Sequence, residues 1–236
     1  MCGMEHSVPP EPITARAHLQ DIGHMRSKSS KPLSGRMAQA ERNDATILAA
    51  AAKVFIADPK APISRVAQEA GVGISALYHR YSSKDALLRR LCSDGLDRYI
   101  AEAEVALADD RDPWTVYFTF MQRIVDADTH SIVLRLAGTF KPGKKLFDHA
   151  AKAQELNVKV FERAKAAGVF RPDVDVVDIA LIFEQIAAIR VGDPDRTRAL
   201  RQRYLALVCD GLRAHDAKPL PGPAPTWSEA NGRWGT

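Results

Sequence analysis

Apolar side chains recur at helical spacing along most of the chain. Ala45, Leu48, Ala52 and Phe55, for example, follow one another at intervals of three or four residues, which places them on one face of a helix. Prolines and glycines separate such segments, and nothing in the second half alternates apolar and polar residues for the length of a strand. The pattern predicts an all-α fold with helices at residues 37–56, 63–70, 74–81, 83–108, 113–127, 131–137, 144–167, 176–191 and 195–214.

Two short helices on either side of a glycine turn lie near the N-terminus. Gly71 is a helix stop, and Gly71-Val72-Gly73 forms a three-residue turn before the next helix. This arrangement is typical of a helix-turn-helix. We therefore predict a three-helix DNA-binding domain at residues 36–83, with Leu77 and Tyr81 in its core, and a second helical domain at residues 84–215.

The two ends of the chain differ from the rest in composition. Residues 1–35 have too few apolar side chains to pack, and residues 216–236 are rich in proline and glycine. We predict a disordered basic N-terminal extension at 1–35 and a flexible tail at 216–236. Gly23-His24-Met25 resembles a cloning scar, which makes Met37 a candidate internal start.

Positive charge is concentrated around the predicted DNA-binding domain. The 236 residues carry a net charge of +4, but residues 26–90 hold twelve Lys and Arg against five Asp and Glu. Clustered cations bind a polyanion with release of counterions, so this third of the chain is the candidate nucleic-acid surface. Arg36 and Arg42 are candidates for contacts along the DNA backbone or in the minor groove. A merely solubilising role is the alternative for the basic N-terminal residues.

A recognition helix needs small or polar residues at its N-terminal end, because its backbone must approach the floor of the major groove. The segment after the turn begins with such residues: Gly73, Ile74, Ser75 and Ala76. Hydrogen-bond donors for phosphates follow at Tyr78, His79 and Lys84. Ser64 lies at the start of the preceding helix, where the helix dipole and a hydroxyl favour a phosphate.

The stretch from Ala67 to Leu88 closely resembles the signature of the TetR family of transcriptional regulators. The resemblance rests on the Ala-Gly-Val turn, the Leu77-Tyr78 pair, the aromatic Tyr81 and the run of residues 83–88. It implies that Tyr78 and Lys84 bind phosphates, and that residues 73–76 and His79 contact bases or the groove. Gly73 stands where the family usually has a serine cap, and Ile74-Ser75 replaces a polar residue followed by glycine. The operator sequence therefore does not carry over from a relative.

The resemblance also implies a homodimer. Residues 170–173, the loop 192–194 and Tyr204-Leu205-Ala206-Leu207 are similar to the dimerising helix pair of actinobacterial-type TetR regulators. The interface would use two apolar stripes, one with Ile179, Ile182, Phe183 and Ile186, the other with Leu200, Tyr204, Leu207, Val208 and Gly211. The alternative is that these stripes form intramolecular core.

A small-molecule effector is implied as well, in a pocket formed by the helices after Pro113. The candidate lining residues are Trp114, Phe118, Met121, Gln122, Phe140, Phe147, His149, Phe161 and Phe183. Aromatic and methionine side chains at helical spacing are also the ordinary content of a core, which is the alternative for each of them.

These features together predict a ligand-responsive repressor. It would bind a palindromic double-stranded DNA operator as a dimer and be released by an effector, without a cofactor or a metal. An enzyme is the first competing hypothesis, but the chain has no Gly-rich phosphate loop, no Gly-x-Ser-x-Gly and no His-Glu-x-x-His. We interpret Asp126 to His130 as a capped helix end rather than a metal site. A DNA-binding module without a ligand and a non-specific nucleoid protein also compete, and the mildly acidic remainder of the chain argues against the nucleoid protein.

The cysteines and the hydropathy pattern predict a cytoplasmic location. Cys2, Cys92 and Cys209 are odd in number and widely separated, which argues against a disulfide framework. The sequence has neither an apolar run of membrane-spanning length nor a signal-peptide pattern.

Overall fold

The computed structural model describes residues 35–136, 138–214 and 218–231, and these ranges contain ten helices. The helices are α1 (Gly35–Ala57), α2 (Ile63–Ala70), α3 (Ile74–Arg80), α4 (Lys84–Ala108), α5 (Pro113–Asp126), α6 (Thr129–Leu136), α7 (Lys144–Ala166), α8 (Val176–Ala188), α9 (Pro194–Leu212) and α10 (Trp227–Asn231). The prediction of an all-α fold is confirmed. The predicted N-terminal extension lies, apart from Gly35, outside the described residues.

Local chemistry explains where several helices begin. Ser83 accepts a hydrogen bond from the backbone N–H of Ala86 at 3.1 Å and caps α4. Proline occupies the first position of α5 and α9, with Asp112 and Asp193 as their caps. Asp175 caps α8 in a reciprocal capping box with Asp178. Side chains next to each break in the sequence therefore fix these helix starts.

Two hydrophobic cores organise the chain, and α4 belongs to both. The first core joins α1, α2 and α3 to Leu87, Leu88 and Leu91 of α4 and to the buried Leu136 at the end of α6. The second core fills the space between the rest of α4 and α5, α7, α8 and α9. We call α1–α3 the N-terminal domain and α4–α10 the C-terminal domain. Because α4 packs in both cores, the two domains share one helix.

The described part of the C-terminal segment, residues 218–231, makes contacts with the rest of the protein. Residues 218–231 lie on the C-terminal domain, where α10 packs on α8 and Ala230 is buried. The guanidinium of Arg171 donates to the carbonyl of Lys218 at 2.7 Å, and the backbone N–H of Leu220 donates to Asp173 at 2.7 Å. Apolar contacts of α10 and two anchoring hydrogen bonds hold a segment whose composition alone predicts flexibility.

No helix in the described ranges is long and apolar enough to cross a membrane.

Candidate DNA-binding surface and ligand cavity

Helix α3 presents most of its side chains to solvent. Leu77 is fully buried and fixes the helix in the first core, and Tyr81 is buried just after it, which confirms the predicted core positions. Ile74 and Tyr78 are 40% and 49% exposed, and Ser75, Ala76 and His79 are exposed as well. A short helix held by one inward side chain leaves its outer face free for a groove. The structure thus brings together on one surface the residues that the sequence predicts for base contact.

The turn before α3 has the geometry of a helix-turn-helix. Gly71 adopts φ +65°, a left-handed conformation that favours glycine, and its N–H bonds back to carbonyls at the end of α2. Gly73 is the N-cap of α3 and provides no side-chain hydrogen bond. The first backbone N–H groups of α3 are therefore without a side-chain cap, as the departure from the family pattern at Gly73 predicts.

A buried carboxylate joins the end of α3 to α1. Asp44 accepts hydrogen bonds from Nε of Arg80 at 2.9 Å and from the hydroxyl of Tyr81. The hydrogen bond from Arg80 holds the pKa of Asp44 below its usual value, and burial raises the pKa of Tyr81. This cluster sets the orientation of α3 against α1, and sequence reasoning missed it because its members lie 36 and 37 positions apart.

Lys84 holds the start of α4 against the loop between α1 and α2. Its Nζ donates to the carbonyls of Pro59 at 2.9 Å and Ala61 at 2.8 Å and lies 4.9 Å from the centre of the Phe55 ring. Two carbonyls therefore already accept from this ammonium, and its contact with a phosphate stays a prediction. The structure therefore gives Lys84 a structural role that the sequence did not indicate.

The other predicted DNA contacts lie on neighbouring elements. Ser64 is exposed in the first turn of α2, where Pro62 is the N-cap and provides no side-chain hydrogen bond. Arg42 is exposed on α1 and donates to Gln39 at 2.9 Å. The backbone of Arg36 belongs to α1, but its side chain lies outside the described part of the structure.

The C-terminal domain contains a cavity of about 210 Å³ between α4, α6, α7 and α8. The lining residues are Cys92, Gly95, Leu96, Tyr99, Thr129, His130, Ile132, Ala150, Ala153, Gln154, Asn157, Ala180, Phe183 and Trp227. Most of this lining is apolar, with a few polar groups among it, which is typical of a small-molecule site.

The polar groups of the cavity are uncharged at neutral pH. Burial lowers the pKa of His130 to about 4, and its ring stacks on Phe183 with 4.6 Å between the ring centres. Burial raises the pKa of the Cys92 thiol to about 12. The hydroxyl of Tyr99 donates to the amide oxygen of Asn157 at 2.7 Å.

Only Phe183 among the residues predicted to bind a ligand borders this cavity. Trp114 and Phe118 stack on each other and pack near Phe170, and Met121 and Phe161 are fully buried in the second core. This packing favours the alternative that the four side chains belong to the core, since a helix face has the same periodicity whether it meets a neighbour or a void, and their contact with a ligand stays a prediction.

The remaining predicted ligand contacts lie at other places on the domain. Gln122 is half-buried, and its backbone carbonyl accepts from Gln202 at 3.0 Å. Phe140 packs against the first core, and Phe147 is exposed on α7. His149 lies beside the cavity but pairs with Asp97 at 3.0 Å and with Ser93 at 3.2 Å. Each of these residues lies outside the lining of the cavity, and their contact with a ligand stays a prediction.

Several of the residues that line the cavity are small, and these small residues are the sequence feature that corresponds to the empty space. Gly95, Ala150, Ala153 and Ala180 lie at facing positions on α4, α7 and α8. Short side chains on three packed helices leave space that no neighbour fills. His130 and Trp227 complete the lining from α6 and α10, and sequence reasoning missed both.

The predicted dimer stripes divide between core and surface. Ile179, Phe183 and Ile186 of α8 are buried within the chain, which favours the alternative of intramolecular core, and their place in a dimer interface stays a prediction. Ile182 is half-buried. On α9, Tyr204 and Leu207 are 48% and 55% exposed, Gly211 is exposed, and Leu200 and Val208 are half-buried. The α9 face (residues 200, 204, 207, 208 and 211) therefore stays the candidate dimer surface.

An exposed second helix of a helix-turn-helix, joined to a helical domain with a cavity, defines a helix-turn-helix regulator. Within the described ranges, no group of three His, Cys, Asp or Glu side chains is placed to hold a metal ion. The family model described as bacterial regulatory proteins, tetR family, matches residues 47–91. The model of the SbtR-like transcriptional regulator C-terminal domain matches residues 112–214. The chain belongs to the TetR family of transcriptional regulators.

Several solved structures share this fold. The TetR transcriptional regulator SCO0520 from Streptomyces coelicolor is 28% identical, with a TM-score of 0.52, over 72% of this chain and 98% of its own. A TetR transcription regulatory protein from Mycobacterium vanbaalenii is 26% identical, with a TM-score of 0.53, over 76% of this chain and 99% of its own. LfrR from Mycobacterium smegmatis, solved in complex with proflavine, is 23% identical, with a TM-score of 0.55, over 76% of this chain and 99% of its own. No curated protein matches the sequence.

Proposed function

We propose that this protein is a transcriptional repressor that binds a palindromic operator as a homodimer and leaves it when a small effector enters the cavity. The observation that carries the proposal is the outer face of α3, where Ile74, Ser75, Ala76, Tyr78 and His79 are all exposed. Two such helices, one from each protomer, would enter successive major grooves about 34–36 Å apart.

The cavity supports control by an effector. It lies against α4 and α6, which pack on each other, and both helices also contact α1 of the N-terminal domain. A ligand that binds more tightly to one arrangement of α4 and α6 increases the population of that arrangement, and the difference in affinity sets the size of the shift. The separation of the two α3 helices would change with the arrangement of α4 and α6. The proflavine complex of LfrR supports the view that a TetR-type fold accommodates a small molecule.

The proposal is tested by binding of the purified protein to the DNA upstream of its own gene. We expect specific binding that resists unrelated competitor DNA and weakens steeply as salt rises, because phosphate contacts release counterions. Fluorescence anisotropy at several salt concentrations measures both properties. Equal affinity for any DNA would contradict a specific operator.

A matched pair of tyrosine variants tests the outer face of α3. Tyr78→Phe keeps the ring and removes the phenol, so loss of one phosphate contact should weaken operator binding about tenfold, with a similar loss on non-specific DNA. Tyr204→Phe keeps the apolar ring on the exposed side of α9, so the proposed dimer and the affinity for DNA should both stay within about threefold of the original protein. Equal effects of the two substitutions would contradict the role of Tyr78.

A further inference from the structure

We propose that the cavity takes a neutral, planar molecule of one or two aromatic rings that carries a hydrogen-bond acceptor, and that Trp227 of the C-terminal segment forms one wall of this site. The proposal rests on the proposed function because it takes the ligand of the cavity to be the effector, and it names the chemical class of that effector. Four features of the cavity support it.

The first feature is the lack of charge in the lining. None of the described residues that border the cavity is an Asp, Glu, Lys or Arg, and His130 is neutral at pH 7. An ion moved from water into such a site loses its hydration and gains no opposite charge. His149, next to Ala150 of the lining, lies outside the lining itself and is within 3.0 Å of Asp97 and 3.2 Å of Ser93. A neutral ligand therefore binds more tightly than an ion of the same shape.

The second feature is the size of the space and the rings around it. An apolar cavity of about 150 Å³ holds one benzene molecule. The volume here, about 210 Å³, fits one ring or two fused rings. His130, stacked on Phe183, and Trp227 supply flat surfaces, and Ala153 and Ala180 leave the space open between them.

The third feature is a hydrogen-bond donor on the wall. Asn157 is buried, and its amide oxygen accepts from the hydroxyl of Tyr99. The amide nitrogen of Asn157 has two N–H donors, and no other described residue engages them. A carbonyl oxygen or ring nitrogen of a ligand satisfies this donor, whereas a pure hydrocarbon leaves it unpaired.

The fourth feature is the origin of Trp227. Hydrogen bonds join residues 218–220 to Arg171 and Asp173, in the loop that precedes α8. Pro221, Pro223 and Pro225 then limit the conformations of the segment that leads to α10. Thr226 and Glu229 cap α10 reciprocally, with the N–H of Thr226 at 2.7 Å from Glu229. The segment therefore delivers Trp227 to the cavity in a defined position.

A charge series of probes with one shape tests the ligand class. 1-Acetylnaphthalene is neutral, 1-naphthoate is an anion and 1-naphthylmethylammonium is a cation. We expect isothermal titration calorimetry on the full chain to show the ketone binding at least tenfold more tightly than either ion. Tighter binding of an ion, equal binding of all three, or no binding of the ketone would overturn the proposal.

A second comparison tests the donor. Tyr99→Phe combined with Asn157→Leu replaces both hydrogen-bonding partners by apolar side chains, so neither is left unpaired in the variant. Relative to Tyr99→Phe alone, the double variant should bind 1-acetylnaphthalene about fivefold to tenfold more weakly and naphthalene no more weakly. A parallel loss for both probes would indicate a merely structural effect and contradict the role of Asn157.

A third comparison tests the wall. Trp227→Ala should weaken binding of 1-acetylnaphthalene at least tenfold, and Trp227→Phe should stay within about threefold of the original protein because a ring is kept. An unchanged affinity of the Trp227→Ala variant for 1-acetylnaphthalene would show that the C-terminal segment is not part of the binding site.

Release of the protein from operator DNA gives an independent measurement. Binding of the ketone without release of DNA would contradict the proposed function. Release by a charged effector that binds in this cavity would contradict the proposed ligand class.

Discussion

Asp44 shows how one side chain fixes the position of the recognition helix. It is buried on α1 and receives hydrogen bonds from Arg80 and Tyr81, at the end of α3 and just after it. Leu77 holds the same helix by apolar contact. The sequence indicated the core positions Leu77 and Tyr81 through their spacing, but the carboxylate between them depends on a contact between distant parts of the chain.

We predict that Asp44→Asn lowers the free energy of unfolding by about 1–2 kcal/mol at pH 7, because the charged hydrogen bond with Arg80 is lost. The pKa of Asp44 is lowered in the folded protein, so this stabilisation is full above the unfolded pKa of about 3.9 and disappears as the pH falls through the lower folded pKa. Urea denaturation at pH 7 and at acid pH measures both effects.

Asp94→Asn is the matched control for Asp44→Asn. Asp94 pairs with Arg98 at 2.8 Å on the surface of α4, and exposed pairs of this kind contribute little. A change within about 0.5 kcal/mol is expected. If Asp94→Asn lowered the free energy of unfolding as much as Asp44→Asn, the effect at Asp44 could not be attributed to the burial of its hydrogen bonds.

At the scale of elements, Arg201 of α9 joins three parts of the C-terminal domain. Its buried guanidinium donates to Asp128 in the turn between α5 and α6, to Ser131 of α6, and to the carbonyls of Ala187 and Ile189 at the end of α8. Asp128 itself adopts a left-handed φ of 52°, which Asp tolerates better than most residues. The next residues of α6 include His130 of the cavity wall, so Arg201 sets the position of the cavity relative to α9.

We predict that Arg201→Gln lowers the free energy of unfolding by about 2–4 kcal/mol, because it removes the donor of the Asp128 carboxylate and of the carbonyls of Ala187 and Ile189. The lower end allows for Asp128, whose side chain is 38% exposed and partly screened by water. Thermal and urea denaturation measure the loss. Arg203→Gln, two positions along the same helix and exposed, should leave stability within about 0.5 kcal/mol; equal losses would contradict the role of the buried network.

At the scale of the whole molecule, the α9 face is the surface that would bring two α3 helices together in the proposed dimer. Tyr204 and Leu207 expose their side chains on a helix whose opposite side, with Leu205 and Cys209, is fully packed. Exposed large apolar residues one helical turn apart are typical of a surface that a partner covers. A palindromic operator needs such a partner, since one α3 helix reads one half-site.

We predict that Leu207→Glu weakens the proposed dimer at least a hundredfold, because a carboxylate would lie in the apolar centre of the interface. Analytical ultracentrifugation measures the association, and operator binding should weaken with it because the two half-sites are no longer engaged together. Val105→Glu, at an equally exposed apolar residue on α4, should change neither property. A dimer that persists in Leu207→Glu would place the interface elsewhere.

The sequence by itself determined helices α1 to α9, the breaks between them and the helix-turn-helix. These features depend on neighbours within a few positions: the spacing of apolar residues, the left-handed turn at Gly71, and caps such as Ser83 and Asp112. The run of residues 67–88 carries the family resemblance for the same reason, because the motif is contiguous.

Only the tertiary structure decided where the apolar faces meet and where they do not. Periodicity shows that Ile179 and Leu207 each lie on an apolar face, but packing buries the first within the chain and leaves the second exposed. In the same way, the cavity lies where small residues of α4, α7 and α8 face one another, and Trp227 reaches it from the far end of the chain. Empty space and burial are properties of several elements at once, so no single segment of sequence specifies them.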